Sequence, residues 1–217
     1  MHIETPMPGI SVKPLSGAIH VESQALLTTL SSSFHGGGFR RVRHILNANV
    51  PVDYCSDDPA SDLERIASQC DIKGPFIGLL TAVPLHKARF ALAEEQGLRV
   101  GVLATAGIGN ATSAGISPPH KATPGTINLI VLVDAALTRA AMVNAIITAT
   151  EAKTATLTEM AILTPDGAFA TGTSTDTVTV ATTGLGAPHA YAGPATVPGW
   201  LIAKAVRQVV RDSLLAE

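Results

Sequence analysis

The chain has 217 residues, with 15 lysines and arginines against 17 aspartates and glutamates, which gives a net charge of −2. This balance lacks the basic excess that binding to a phosphate backbone requires, and it argues against nucleic acid as a partner. Charged residues make up 15% of the chain and hydrophobic residues 46%, a composition that excludes a disordered protein. No apolar stretch is long enough to cross a membrane, and the N-terminus lacks the features of a secretory signal. We therefore expect a cytoplasmic protein without membrane insertion.

The first predicted elements are extended. Residues 1–16 contain three prolines, which remove backbone donors and predict an extended N-terminal arm lying over the surface. Apolar runs at 18–21 and 25–30 flank a polar triplet and predict a hairpin. The segment 42–52 predicts a further strand.

Helices enter in the next part of the chain. Asp58 as N-cap and Pro59 in the first turn predict the start of a helix. Continuous apolar segments at 76–83 and 99–106 predict buried strands, with a helix over 85–96 between them. Strand, helix and strand in this order are typical of a parallel crossover.

The C-terminal half alternates strands with long helices. Residues 125–134 predict a buried strand, 138–160 a helix capped by Thr138, 177–183 a half-buried strand and 197–214 a final helix. The whole chain is therefore predicted to be a single α/β domain in which mixed β-sheet layers pack with helices. An αββα layered sandwich is one arrangement that this order allows.

A glycine-rich segment at 105–115 follows a predicted buried strand. Such a loop is typical of backbone N–H groups that hold an anion or an oxyanion. It has neither the third glycine of a dinucleotide fingerprint nor the lysine of a P-loop, so we expect neither NAD nor ATP. The alternative is a plain turn that needs positive φ at its first two glycines. The candidate binding residues of this loop are Gly107, Gly109, Asn110 and Ser113.

The long predicted helix carries short polar residues on one face. Asn144, Thr148 and Glu151 have the spacing of neighbours on a helix surface, and a solvated face is the alternative interpretation. We predict that Glu151 is partly buried and serves as a general acid and base, and that Lys153 reaches the same pocket.

A hydroxyl-rich turn at 170–176 precedes the threonine-rich strand. Hydroxyls closed by the carboxylate of Asp176 suit a polar ligand that carries amides, and an ordinary Asx or Ser/Thr turn is the alternative. Gly172, Thr173 and Thr175 are candidate binding residues, and Asp176 is a candidate acid or base. Valine at Gly109 or Gly172 is expected to weaken binding and to leave the fold intact.

Two histidines are placed to act as general bases: His35 beside three glycines, and His189 in a Gly/Pro loop. The seven histidines show no metal-ligand spacing, so we expect no metal site. The two cysteines are expected to be reduced thiols.

Four sequence strings, together with Asn47 upstream, carry a resemblance to a known family. The strings are Thr-Ala-Gly-Ile-Gly-Asn-Ala at 105–111, Gly-Thr-Ile-Asn-Leu-Ile-Val at 125–131, Thr-Glu-Ala-Lys at 150–153 and Ala-Thr-Gly-Thr-Ser-Thr-Asp at 170–176. In this order and spacing they resemble the adenosylcobinamide amidohydrolases, and the resemblance covers nearly the whole chain after residue 16. It adds Asn47 and Asn128 to the candidate binding residues.

The resemblance implies hydrolysis of the amide that joins the aminopropanol arm to the corrin ring of adenosylcobinamide, in the salvage of coenzyme B12. A corrinoid would be the substrate and no cofactor is expected, because the cobalt belongs to the substrate. The residue chemistry then offers Glu151, His35, Asp176 and Lys153 for catalysis.

Two other functions stay open. One is a corrinoid carrier without turnover. The other is an autoprocessed acyl transferase or hydrolase, because residues 125–184 are similar to self-cleaving aminopeptidases and ornithine acetyltransferases with an N-terminal nucleophile. A homo-oligomer also stays open.

Overall fold

A computed structural model of the chain describes residues 7–119 and 125–217. Its helices are α1 (Pro59–Gln69), α2 (Arg139–Glu159) and α3 (Val197–Leu214), with a 3₁₀ turn at Leu85–Lys87. Its strands are β1 (Ile10–Leu15), β2 (Ala18–Ser31), β3 (Gly38–Asn49), β4 (Phe76–Thr81), β5 (Arg89–Glu95), β6 (Leu98–Ala106), β7 (Ala111–Thr112), β8 (Ile127–Val133), β9 (Gly172–Thr173) and β10 (Thr177–Thr182).

Eight of these strands form one mixed sheet. The order across the sheet is β4-β3-β2-β10-β8-β6-β5, and β1 pairs with β2 outside that path. The pairs β3–β4 and β8–β10 are parallel, and the other pairs in this sheet are antiparallel. β7 and β9 form a separate two-stranded ribbon.

The sheet folds over itself along β2. Residues 18–23 of β2 pair with β1 and residues 28–31 pair with β10, while the register with β3 shifts between Glu22 and Leu27. Such a bulge bends a strand. The β1–β3–β4 part then lies against the β6–β8 part: the side-chain amide of Asn47 in β3 donates to the hydroxyl of Thr105 in β6 at 3.0 Å.

Three hydrophobic clusters fill the resulting layers. An inner cluster lies between the two parts of the sheet and includes Ile19, Ile45, Leu103 and Ile130. α2 and α3 cover the outer side of β5, β6, β8 and β10, and α1 covers the outer side of β3 and β4. The predicted α/β class is confirmed, with two sheet layers between helices.

The N-terminal predictions are corrected by the structure. The arm is not merely laid over the surface, because β1 adds an antiparallel strand to β2 and Met7 is buried. The predicted hairpin within 18–30 is wrong, since β2 runs as one strand through the polar triplet. The hairpin lies instead between β1 and β2, where Gly17 adopts a positive φ of 77°.

The helix predicted over 85–96 is also wrong. Only a short 3₁₀ turn forms there, followed by β5, which makes an antiparallel hairpin with β6. Phe90 and Leu92 face the inner cluster while Ala91 and Ala93 face the helices, a period of two. Gln96 and Gly97 have φ values of 52° and 77°, as a two-residue hairpin turn requires.

The other three predicted helices and the predicted strand 177–183 are present in the structure. Asp58 caps α1, Thr138 caps α2 through the amide of Ala141 at 3.1 Å, and α3 has its predicted bounds. β10 forms as well, but all six of its residues are buried rather than half of them, because it lies between the inner cluster and α2.

A histidine pair lies on the outer side of β2 and β3. The Nε2 atom of His20 lies 3.0 Å from the Nδ1 atom of His44, with Glu22 and Lys13 beside them. Burial of the His20 ring lowers its pKa, the charge of His44 and that of Lys13 lower it further, and Glu22 opposes the shift. Protonation of His20 is therefore costlier in the folded chain.

We predict that the protein loses stability as the pH falls, and that His20 contributes to this loss. A folded-state pKa below the ordinary value means that the unfolded chain binds more protons as the pH drops through the histidine range, so folding loses stability there. The melting temperature of the wild type, followed from about pH 8 to pH 5, should fall more steeply than that of His20→Gln. Parallel curves would contradict the prediction.

Candidate functional site

A cavity of about 350 Å³ opens at one edge of the sandwich, where both sheet layers contribute. One wall comes from the end of β4 and the connection from β3 to α1, including Tyr54. The other comes from the starts of β8 and β10. Most of the lining is apolar, with hydroxyls from both layers. Four of these, which we call the cavity threonines, are Thr81, Thr126, Thr175 and Thr177.

A buried amide network supports this cavity from within the sandwich. The Nδ2 atom of Asn128 donates to Asn47 Oδ1 and to the carbonyl of Leu80, both at 2.8 Å, which ties β8 to β3 and β4. Thr126 donates to Asn128 Oδ1 at 3.1 Å. Asn47 and Asn128 are each 1% exposed and neither lines the cavity. These predicted binding residues therefore shape the cavity by joining its two walls.

The glycine loop after β6 has a different geometry from the predicted one. Gly107 and Gly109 do not adopt positive φ, so the alternative of a plain turn that needs positive φ at both is wrong. Gly107 instead allows close packing, because a Cβ there would lie 2.6 Å from Val83 Cγ2. The amides of Gly107 and Ser113 donate to Thr126 O and Ser117 Oγ, both at 2.9 Å. These donors hold the protein together rather than facing a ligand.

Asn110 connects this loop to the hydroxyl-rich turn. Its Nδ2 atom donates to Ser174 Oγ at 2.9 Å and to Thr175 Oγ1 at 3.2 Å, and the Thr175 hydroxyl donates to the carbonyl of Gly125 at 2.6 Å. The β7–β9 ribbon joins the same two segments. The predicted binding loops are thus brought together, at the edge of the cavity that Thr175 lines.

Behind this edge lies a buried ion pair. Lys153 Nζ of α2 contacts Asp176 Oδ2, with side chains only 7% and 14% exposed. Asp176 also accepts from the hydroxyl of Thr173 at 2.5 Å and from the amide of Ile127 at 3.1 Å. Asp176 alternates with Thr175 and Thr177, and it faces α2 while they face the cavity. Lys153 and Asp176, two of the candidate catalytic residues, therefore contact each other outside the cavity lining.

Gly172 makes room for this pair. A Cβ at 172 would lie 2.5 Å from Lys153 Nζ and would also overlap the Asp176 carboxylate. Valine at 172 would therefore displace this ion pair, which argues against the expectation that it leaves the fold intact. At Gly109 a Cβ meets nothing within 4 Å, so no such overlap opposes a side chain there.

The polar face predicted on α2 is not one surface. Glu151 is exposed, so its expected burial is wrong. The helix packs through its alanine side, which includes Ala145, Ala149 and Ala152 and leaves Glu151 outside. Thr148 is buried and donates to the carbonyl of Ala192 at 2.9 Å, and Asn144 is half-buried. None of the three predicted residues lines the cavity, and the catalytic role of Glu151 stays a prediction.

His35 lies between α1 and β4, outside the cavity lining. Its ring stacks on Phe76 with centroids 4.0 Å apart, Nδ1 lies 3.2 Å from Phe76 O, and Nε2 lies 3.4 Å from Glu64 Oε1. These contacts indicate an anchoring role. His189 lines a separate cavity beside Asp134, at the other end of β8.

Sequence reasoning missed the threonines at the strand starts. Thr126 and Thr177 stand at or next to the first residues of β8 and β10, and both were inside or beside strings that were already singled out. Strand alternation is the signal that finds them: next to Asp176, the residues on the opposite face are Thr175 and Thr177.

Two further observations concern other kinds of site. Among residues 7–119 and 125–217, no three His, Cys, Asp or Glu side chains lie close enough to hold a metal ion together. In the same residues, no helix combines the length and apolar character that crossing a membrane would demand.

Comparison with known proteins places these features in a family. A family model described as adenosylcobinamide amidohydrolase matches residues 9–217. The adenosylcobinamide amidohydrolase of Methanosarcina mazei is 31% identical over 209 residues, which are 90% of this chain and 96% of the relative. That of Halobacterium salinarum is 33% identical over 199 residues, 85% of this chain and 79% of the relative.

The fold is also found among solved structures. The PH0078 protein from Pyrococcus horikoshii superposes with a TM-score of 0.50 over 96% of this chain and 80% of its own, at 13% identity. At that identity the likeness concerns the fold alone.

Proposed function

The chain belongs to the adenosylcobinamide amidohydrolase family, and from that premise we propose that it hydrolyses the aminopropanol amide of adenosylcobinamide. Water adds its hydroxyl to the carbonyl carbon, the C–N bond breaks and the amine leaves with a proton. The products are adenosylcobyric acid and aminopropanol, which suits a role in corrinoid salvage within the cytoplasm. No cofactor beyond the substrate's own cobalt enters this proposal.

The observation that carries the proposal is the presence of the cavity threonines in a cavity whose lining is mostly apolar. An amide needs a donor for its carbonyl oxygen and an acceptor for its N–H. Within the described residues the hydroxyl of Thr177 has no hydrogen-bond partner, so its proton is available to a carbonyl oxygen. Such a donor is most valuable when it stabilises the oxyanion that forms on water attack.

Thr126 supplies the complementary acceptor. Its hydroxyl proton is directed to the carbonyl of Thr175 at 2.8 Å or to Asn128 Oδ1, so the oxygen lone pairs are left for the N–H of the substrate. In this arrangement Lys153, Asp176, Asn47 and Asn128 position the two threonines and do not touch the substrate.

The test is turnover of adenosylcobinamide by the dialysed protein, without nucleotide or reductant. We expect mass spectrometry to detect adenosylcobyric acid and free aminopropanol in equal amounts. Binding of adenosylcobinamide without product would favour a corrinoid carrier. Two bands of the pure protein on a denaturing gel would favour an autoprocessed enzyme.

A further inference from the structure

An aromatic side chain stands in solvent at the edge of the cavity. Phe34 lines the cavity and is 73% exposed, although the backbone around it is fixed. Ser33 Oγ donates to the carbonyl of His35 at 2.8 Å, and the amide of Gly78 donates to the same carbonyl at 3.0 Å. Because its segment is ordered and its ring borders the cavity, Phe34 is placed to contact a ligand that occupies the cavity.

The fixation is also steric. Gly36, two residues after Phe34, has a φ of 73°, and a Cβ there would lie 2.5 Å from the carbonyl oxygen of Phe76. The stacking of His35 on Phe76 holds the same segment from the other side. Because the loop that carries Phe34 is already ordered, ligand binding to the ring does not require a large loss of loop entropy.

The size of the cavity decides which part of a corrinoid enters it. Its volume of about 350 Å³ lies near the lower end of the roughly 300–1,000 Å³ that pockets for drug-sized ligands span. A corrin ring with its peripheral amide chains is larger than such a ligand. Only a side arm of the corrinoid fits between the two sheet layers.

We propose that the corrin ring stays outside the cavity and rests on Phe34 at its rim, while the aminopropanol arm reaches inward to Thr177. This inference rests on the proposed function. The conjugated corrin ring and a phenyl ring remove apolar surface from water when they contact each other. Phe34 thus selects for the macrocycle, and the cavity threonines select for the amide.

The experiment compares Phe34→Ala with Phe169→Ala. Phe169 is a matched control, because it is 55% exposed and lies outside the cavity lining. Titration of the corrin absorbance gives the dissociation constants of adenosylcobinamide and of adenosylcobyric acid, which lacks the arm. We expect Phe34→Ala to weaken binding of both corrinoids by about tenfold, with Phe169→Ala near the wild type and Phe34→Trp restoring affinity.

Kinetics give a second, independent readout. For adenosylcobinamide, Phe34→Ala should raise KM by a similar factor and leave kcat near the wild-type value, because the groups around the amide are unchanged. Unchanged affinity in Phe34→Ala, an equal loss in Phe169→Ala, or a loss confined to adenosylcobinamide would each overturn the proposal.

Failure of the proposed function is recognisable separately. If the wild type binds adenosylcobinamide and Phe34→Ala weakens that binding, but no product forms, the contact with Phe34 is supported and the hydrolase function is contradicted. A wild type that binds neither corrinoid overturns both.

Discussion

Thr177→Val should lower the turnover of adenosylcobinamide by about 10²-fold or more and leave the free energy of unfolding within about 0.5 kcal/mol of the wild type. Valine keeps the branched shape that a strand favours and removes only the hydroxyl. That hydroxyl makes no hydrogen bond within the described residues, so folding loses nothing with it. Steady-state kinetics and urea unfolding measure the two quantities.

Thr179→Val is the matched control, on the same strand and the same face. The Thr179 hydroxyl is fully buried and lies 2.7 Å from Ser31 Oγ, away from the cavity lining. Its loss should cost about 1–2 kcal/mol of stability and leave turnover near the wild-type value. If Thr177→Val keeps its turnover, or if both variants lose turnover alike, the assignment of the Thr177 hydroxyl to the substrate is wrong.

Lys153→Met should destabilise the protein by about 3 kcal/mol or more, because it leaves the buried Asp176 carboxylate without its cation. Two neutral donors, the Thr173 hydroxyl and the Ile127 amide, remain on the carboxylate but do not balance its charge. The double variant Lys153→Met with Asp176→Asn removes that charge and should regain at least half of the loss. Urea unfolding of both variants measures the difference.

An exposed ion pair supplies the comparison. Lys13 and Glu22 lie 2.8 Å apart with side chains 54% and 41% exposed, and Lys13→Met should cost at most about 1 kcal/mol. A cost for Lys153→Met no larger than that for Lys13→Met would show that water screens the Lys153–Asp176 pair. A double variant less stable than Lys153→Met would argue that the carboxylate is needed for reasons other than the lysine.

Local signals in the sequence were sufficient for helices α1, α2 and α3 and for strands β3, β4, β6, β8 and β10. A capping threonine at 138 and a capping aspartate at 58 act on neighbouring amides, so their effect is visible within a few residues. The helix over 85–96 was mispredicted because Ala, Leu and Glu suit both a helix and a strand, and only the partner strand decides. The bulge in β2 was predicted as a hairpin turn, because a short run of polar residues between apolar segments is compatible with either a turn or a bulge.

The candidate site was harder to predict because its members come from both sheet layers. The strings at 125–131 and 170–176 do contain residues that line the cavity. Two things decide which residues face the cavity: the face of the strand on which each side chain lies, and the folding of the sheet that brings Thr81 opposite β8. Neither can be read from the neighbouring residues in the sequence. Glu151 illustrates this point: spacing placed it beside Thr148, but the packing of α2 turned it to solvent.

The long β2 strand also constrains how the protein is made. Its residues 28–31 pair with residues 179–182 of β10, so the centre of the sheet joins segments that are 148 to 154 residues apart in the chain. Contacts this distant in sequence slow folding, because a long loop must close before they form. During synthesis the β10 side of β2 stays an open edge until almost the whole chain has been made. We therefore expect the unfinished chain, which carries β2 without β10, to be the form of this protein that is most prone to aggregate through an unpaired strand edge.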